Sequence, residues 1–315
     1  MEKIKQKIEE YQKIVICGHT RPDGDCIGSQ YGLYHLIKEN YPTKDVWVSG
    51  ENSEFVNFVG MPTFVDDEAF KNALVICVDC GVSDRLADKR YNQGDYLIKI
   101  DHHIPVEDYG DYQYVDVTAP ACAQIITELY LKNKDTWKMS KEAALALYVG
   151  ILTDTGRFKF DSVNSRTFIA AAHLVDCGLN LGYIDNKLSV ETLQTLKLKG
   201  YVLSNFKISE NGFAYITLTQ EQIKEFGVTN EEAASQVSTI STIEGCPVWA
   251  IILEYSAEEI RVRLRSRGPV INLLAEEYRG GGHAKASGAT LANWDELAGF
   301  VAKADNIVKE YKKNL

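Results

Sequence analysis

Four short segments carry the side chains that could do chemistry: His19, Asp23 and Asp25 in His19-Thr20-Arg21-Pro22-Asp23-Gly24-Asp25, Asp79 in Val78-Asp79-Cys80, the triplet Asp101-His102-His103, and Asp154 in Thr153-Asp154-Thr155-Gly156. Carboxylates crowded together raise one another's pKa values unless positive charge neutralises them. Arg21 and Arg157 are close by in sequence, but the imidazoles point to a stronger neutraliser. Mixed histidine and carboxylate sets suit Mn²⁺, Fe or Zn²⁺ better than Mg²⁺, which prefers oxygen ligands. Asp23, Asp25, Asp79 and Asp154 carry four negative charges, which two divalent cations balance, so a binuclear centre is expected. Taken singly the segments are ordinary: Pro-Asp-Gly-Asp is a common turn, a His-His pair after a strand is usually half-buried, and Thr-Asp-Thr-Gly suits a helix end. Their joint occurrence favours catalysis.

These side chains must be carried by something rigid. Apolar runs predict strands at 14–17, 46–48, 73–78 and 96–100, and helical spacing predicts helices near 27–38, 121–131, 141–152 and 166–177. Such alternation makes a parallel sheet covered by helices. Ligands bind such sheets at the carboxyl ends of the strands, where His19, Asp79 and Asp101 to His103 stand. Leu181 to Val202 reads as a connecting helix, and Thr153 and Thr155 are candidate donors that hold Asp154. Beyond the connection, strands at 213–218, 247–255 and 259–266 interleave with helices near 231–239, 270–278 and 294–311. The expected fold is α/β: a parallel-sheet domain over 1–185, a helical linker over 186–206 and a smaller α/β domain over 207–315.

The composition sets limits on function. A chain of 315 residues with 45% hydrophobic and 25% charged side chains is globular and long enough for two domains. Lys and Arg total 34 against 44 Asp and Glu, a net charge of −10 that argues against a binder of long duplex nucleic acid. The opening MEKIKQKIEEYQK has no signal-peptide core, and the longest apolar stretch, Ala143 to Leu152, is about half a membrane span, so no membrane association and a cytoplasmic location are expected. Seven scattered cysteines suit a reducing compartment. Cys77 and Cys80 have CxxC spacing, but strand alternation would send them to opposite faces, and no second such pair completes a zinc site. They read as small buried hydrophobes.

With these motifs in hand, the sequence resembles the DHH phosphoesterase superfamily, in the arrangement where a DHH catalytic domain precedes a DHHA1 domain. The resemblance rests on HTRPDGDCIGS at His19 to Ser29, VDCG at Val78 to Gly81, DHH at Asp101 to His103, TDTG at Thr153 to Gly156 and GGGH at Gly280 to His283, and it spans nearly the whole chain. Within the superfamily it is most similar to the bifunctional oligoribonuclease and pAp phosphatase branch, the nanoRNases. It implies that His19, Asp23 and Asp79 hold one Mn²⁺ and Asp25, Asp79, His102 and Asp154 the other, with Asp79 shared. It also implies that His103 faces substrate as a candidate proton donor and that Asp101 orients its neighbours. Two such metals activate water for in-line displacement at a phosphoester. Ser287 stands where the family often has alanine.

In the second domain Arg261 to Arg267 alternates, so a strand would bury Val262 and Leu264 and put Arg261, Arg263 and Arg265 on one face. Arg261 to Lys285 holds six basic and two acidic residues, a local reversal of the overall sign that points to an anionic ligand. Arg261 and Arg263 equally suit a solvated face. Arg265 and Ser266, at the end of the strand that binds substrate in the family, have the stronger case. Gly280, Gly281 and Gly282 bring backbone N–H groups close to a phosphate, and His283 adds a donor. The expected substrates are short single-stranded RNA, dinucleotides of the pApA type and pAp, gripped in a cleft between the domains. The alternatives are an inorganic pyrophosphatase or exopolyphosphatase of the same superfamily, or a non-catalytic nucleotide-binding module. The resemblance also suggests a homodimer.

Overall fold

Ile14-Val15-Ile16 and Leu74-Val75-Ile76 are apolar on both alternating faces, the pattern of strands buried between two layers. Both are central in the sheet of the computed structural model, which describes residues 1–256 and 259–314. The chain divides into two compact units, Met1–Val190 and Glu191–Leu315.

The first unit runs α1 (Glu2–Glu10), β1 (Lys13–Cys17), α2 (Gly24–Asn40), β2 (Asp45–Ser49), β3 (Ala73–Val78), β4 (Tyr96–Asp101), β5 (Tyr112–Val115), α3 (Cys122–Lys132), α4 (Lys141–Asp154), α5 (Ser165–Val175) and α6 (Leu181–Ser189). Its five strands pair in parallel in the order β2-β1-β3-β4-β5. The register sets Cys17 level with Cys77 and Val78 level with Ile100, so the first turns after β1, β3 and β4 emerge at one edge. Two elements were not expected from the sequence: α1, whose Ile4 and Ile8 are buried beneath a charged surface, and the short edge strand β5.

Helix α2 begins at Gly24 rather than near Ile27, because the Asp23 carboxylate caps it by accepting the N–H groups of Asp25 (3.1 Å) and Cys26 (3.0 Å). Asp25 is thereby placed in the first helical turn. Gly28 lets α2 and α4 approach closely: a Cβ there would meet the Ala146 carbonyl oxygen at 2.5 Å and the Gly150 Cα at 2.8 Å. A Gly28→Ala substitution gains about 1 kcal/mol of helix propensity but overpacks this contact. We expect a net loss of about 2 kcal/mol in urea denaturation; unchanged stability would show that the helices can separate freely.

The connecting helix anticipated over Leu181 to Val202 is in fact two helices, α6 and α7 (Leu193–Asn205), broken where Thr192 caps α7 by accepting the Thr195 N–H at 3.1 Å. The opposite-face argument for Cys77 and Cys80 also fails. β3 stops at Val78, Asp79 takes a φ of 55°, and the interrupted alternation turns both cysteines into one apolar cluster with Val15, Cys17 and Phe70. Both are free thiols and buried, as small hydrophobes would be.

The second unit follows with α7, β6 (Lys207–Ile208), β7 (Phe213–Leu218), α8 (Gln220–Phe226), α9 (Asn230–Ser235), β8 (Val248–Ser256), β9 (Glu259–Ser266), α10 (Asn272–Glu277), β10 (Gly281–His283), β11 (Ala286–Leu291) and α11 (Glu296–Lys313). Its mixed sheet has the order β10-β11-β9-β8-β7-β6. One face buries Val248, Val262 and Leu264 with Phe300 of α11, and the other buries Trp249 and Ile251 with Leu198 and Val202 of α7. This is an α/β unit of the expected kind. Among the described residues no helix is long and apolar enough to cross a membrane.

Candidate metal centre

Each predicted ligand is set by a local cause. His19 follows β1, where its backbone bridges to Leu86, and its Nδ1 donates to the Thr20 carbonyl at 2.9 Å. His102 follows β4, with Nδ1 donating to the Ala119 carbonyl at 3.2 Å. A carbonyl can only accept, so each ring keeps its proton on Nδ1 and turns the Nε2 lone pair inward, the tautomer a metal requires. Asp79 follows β3 in the left-handed region, which aspartate tolerates better than most residues, and its N–H is fixed by the Ile100 carbonyl at 3.0 Å. Asp154 ends α4.

The inward atoms converge. His19 Nε2 lies 3.9 Å from Asp23 Oδ1 and 3.6 Å from Asp79 Oδ2. His102 Nε2 lies 3.3 Å from Asp79 Oδ1, 3.4 Å from Asp154 Oδ2 and 3.8 Å from Asp25 Oδ2. These separations are long for hydrogen bonds, but two donors each about 2.1 Å from one ion at tetrahedral or right angles stand roughly 3.0–3.4 Å apart. Asp79 Oδ1 is also buried without a hydrogen-bond partner among the described residues. An unpartnered buried carboxylate oxygen among imidazole lone pairs is the mark of a cation site, and the donor set fits a divalent metal.

The electrostatics agree. Burial, then the Asp79 and Asp154 charges, push the Asp25 carboxyl well above the usual range. Burial also raises Asp154, to about 7, against the pull of His102. Burial opposes protonation of His102, but its contact with Asp79 and the charges of Asp25, Asp79 and Asp154 outweigh it and raise its pKa to about 10. His19 is raised too, burial being outweighed by Asp23, Asp79 and Cys26. Protons thus take up the charge that a cation would balance.

Asp25 is held by Cys122 N–H at 2.6 Å and Ala123 N–H at 2.9 Å, the start of α3, and by the Ser29 hydroxyl at 3.2 Å. Asp101 accepts from His103 Nδ1 at 2.8 Å and from the N–H groups of His102 (2.9 Å) and His103 (3.2 Å). Two side chains expected to help, and one basic residue near them in sequence, do otherwise. Thr153 donates to the Val149 and Gly150 carbonyls and Thr155 to that of Ile151, so both bond back into α4 and neither hydrogen-bonds Asp154. Arg157 turns toward α6, pairing Asp185 at 2.8 Å. Sequence reasoning missed Cys26, whose sulfur lies within 4.8 Å of donor atoms of His19 and Asp79. Burial raises its pKa to about 12. Its place next to Asp25 was the available signal.

In the second unit the cross-strand register puts His283, Ala286 and Arg265 in one row, and Gly281, Gly288 and Arg263 in the next on the same face. Gly280 is required by packing, since a Cβ there would lie 1.9 Å from the Gly288 carbonyl oxygen, whereas a Cβ on Gly281 would meet nothing within 4 Å. Arg261 pairs with Glu259 and Arg263 with Glu231, while Arg265 makes no ion pair among the described residues. A cavity of about 310 Å³ opens beside Arg263 and Arg265. Ser266 is not in this group: it projects from the other face, donating to the Pro269 carbonyl at 2.7 Å and accepting the Gly268 N–H at 3.0 Å. Ser287 pins the turn by donating to the His283 carbonyl at 2.7 Å.

Comparison with known proteins agrees with this layout. Residues 13–151 match the DHH family, N-terminal domain, and residues 211–310 the DHHA1 domain. The bifunctional oligoribonuclease and PAP phosphatase NrnA of Bacillus subtilis (strain 168) is 38% identical over 97% of this chain and 97% of its own. A probable enzyme of the same name from Streptococcus mutans is 39% identical over 96% and 97%. Among solved structures, an exopolyphosphatase-related protein from Bacteroides fragilis has a TM-score of 0.86 at 28% identity, covering 99% of this chain and 96% of that one. Aspartates and histidines from four separate segments, gathered on one sheet edge of a chain that matches DHH and DHHA1 in that order, have one explanation: the chain belongs to the DHH/DHHA1 phosphoesterase family and is a metal-dependent phosphoester hydrolase.

Proposed function

We propose that this enzyme hydrolyses short oligoribonucleotides of about two to five nucleotides, including pApA-type dinucleotides, to mononucleotides, and pAp to AMP, with two Mn²⁺ ions. The observation that carries the reading is Asp79, whose two oxygens face different histidines, Oδ2 toward His19 and Oδ1 toward His102. His19, Asp23 and Asp79 form one ligand set, and Asp25, Asp79, His102 and Asp154 the other. When bound, the metals supply a water nucleophile at neutral pH and neutralise the phosphate oxygens. His103 donates its Nδ1–H to Asp101, a contact that raises the ring's pKa, and in the protonated ring Nε2 carries the proton that passes to the leaving oxygen. In the second unit Arg265, His283 and the backbone of Gly280, Gly281 and Gly282 bind the rest of the nucleotide. Ser266 takes no part, because its hydroxyl is spent on the turn to Pro269. The substrate class is supported by the likeness to the NrnA relatives and by a small basic face in an acidic chain.

A panel of pApA, longer RNA, pAp, pyrophosphate and cyclic dinucleotides with Mn²⁺ tests this. Hydrolysis of pApA and pAp is expected; turnover confined to pyrophosphate or polyphosphate would replace the assignment with the pyrophosphatase reading. For His283→Ala we expect KM for pApA to rise about tenfold with kcat unchanged, the loss of one hydrogen bond to bound substrate. An unaltered KM would remove His283 from the binding surface.

A further inference from the structure

Behind the centre lies a charge that the ligand set does not use. Lys99 on β4 is fully buried, at 0% exposure, level in the sheet with Cys77, which is in turn level with Cys17. The neighbouring layer is apolar, formed by Val15, Val75, Cys77 and Phe70, and there an uncompensated cation costs several kcal/mol where an aliphatic side chain would fit. The cost implies a task.

The contacts of the ammonium identify it. Nζ donates to the Gly81 carbonyl at 2.9 Å and the Glu107 carbonyl at 3.4 Å, lies over the Tyr109 ring at 4.6 Å, and stands 3.6 Å from Asp101 Oδ2. That oxygen is buried and has no hydrogen-bond partner among the described residues. Asp101 Oδ1, by contrast, takes all three bonds from His102 and His103. The carboxylate therefore presents one oxygen to the histidines and the other to Lys99. Gly81 follows the Asp79 turn and is close enough to His103 that a Cβ on it would lie 3.4 Å from the His103 Cβ. One ammonium thus ties the 79–81 turn, Asp101 and the 104–108 loop around a single imidazole.

We propose that Lys99 is a positioning residue for hydrolysis, acting through Asp101 to hold the His103 ring with Nδ1–H on the carboxylate and Nε2–H toward the leaving oxygen, to which the imidazolium gives that proton. The inference rests on the reading of His103 as proton donor given above. Without the cation, Oδ2 is a buried anion facing apolar side chains, and Asp101 turns or draws in water, which frees the ring.

Lys99→Met keeps the length of the chain and removes the charge. It is expected to lower kcat for pApA about 10- to 100-fold, part of what a positioned acid contributes, with KM within about twofold and Mn²⁺ content unchanged. In the His103→Ala background the same substitution should cost nothing further. In the metal-free protein, long-range ¹H–¹⁵N spectra recorded at a pH where the ring is neutral should show His103 with its remaining proton on Nδ1 in the wild type and as a mixture of tautomers in Lys99→Met. An equal loss in both backgrounds, lost metal, or wild-type kcat overturns the role of Lys99 while leaving a slow His103→Ala variant intact. A His103→Ala variant with wild-type kcat overturns the proton-donor reading and Lys99 with it. If Lys99→Met does not fold, Lys99→Met/Asp101→Asn, which removes the stranded carboxylate as well, is compared with Asp101→Asn. Equal kcat supports the proposal; a further loss, or failure of the double variant to fold, assigns Lys99 to the fold and overturns it.

Discussion

Asp79→Ala should lose at least about 10³-fold in turnover, because several kcal/mol of charge stabilisation goes with the metals at 1.36 kcal/mol per decade. Among the described residues no other carboxylate is shared in the same way: Asp23 stands by His19, and Asp25 and Asp154 by His102, whereas Asp79 reaches both rings. Its removal therefore takes a ligand from both sets at once, and Mn²⁺ titration by calorimetry should show both sites weakened. Misfolding would give a similar loss, so stability must be read alongside. Asp79 sits at φ 55°, where alanine costs roughly 1–2 kcal/mol, but the substitution also removes one of the buried carboxylates that repel Asp25 and Asp154. Metal-free Asp79→Ala should thus melt within a few degrees of the metal-free wild type. Asp79→Asn, which tolerates the left-handed region, should be equally inactive. Wild-type turnover by metal-replete Asp79→Ala would end the shared-ligand proposal.

Chelation should abolish activity and expose a pH dependence of stability that metal conceals. The Asp154 carboxyl is raised from 3.8 to about 7 by burial, and His102 is raised from 6.5 to about 10 by its carboxylate neighbours against burial. Both groups bind a proton more tightly folded than unfolded, so each stabilises the fold fully below its unfolded pKa and loses that contribution as pH rises through the folded value. For Asp154 the loss runs from about pH 4 to 7, and for His102 from about pH 6.5 to 10. Carboxylates with lowered pKa values, Asp23 and Asp101 among them, change stability only at acid pH and leave this window untouched. The melting temperature of the chelated protein should therefore fall steadily between about pH 6 and pH 10. Mn²⁺ should flatten the curve and bind more tightly as pH rises, since it replaces the protons. A chelated protein whose melting temperature holds or climbs across that range would contradict the electrostatics of the centre.

Much of the fold could be read locally. The strands after which His19, Asp79 and His102 stand are apolar runs whose pattern needs no partner to be recognised, and the Arg261 to Arg265 alternation survives intact, with Val262 and Leu264 buried. What failed was inference about side chains whose direction depends on a neighbour or on one backbone angle. Thr153, Thr155 and Ser266 have hydroxyls that the nearest backbone groups claimed. Arg157 found Asp185, a carboxylate 28 residues on. Cys77 and Cys80 share a side because Asp79 leaves the extended conformation.

The identity of the ligand types, the strands that carry them and the division into an acidic catalytic part and a locally basic second part were fixed by the amino-acid order, because period, turn chemistry and charge are local properties. Three things were decided only by the tertiary structure. Register and the close α2–α4 contact at Gly28 and Gly150 bring Asp25 and Asp154 to His102. The turn at Asp79 aims its two oxygens at different rings. The buried ammonium of Lys99 meets the unused oxygen of Asp101. Each is a distance between groups remote in sequence or a direction set by packing, and spacing along a chain does not determine either.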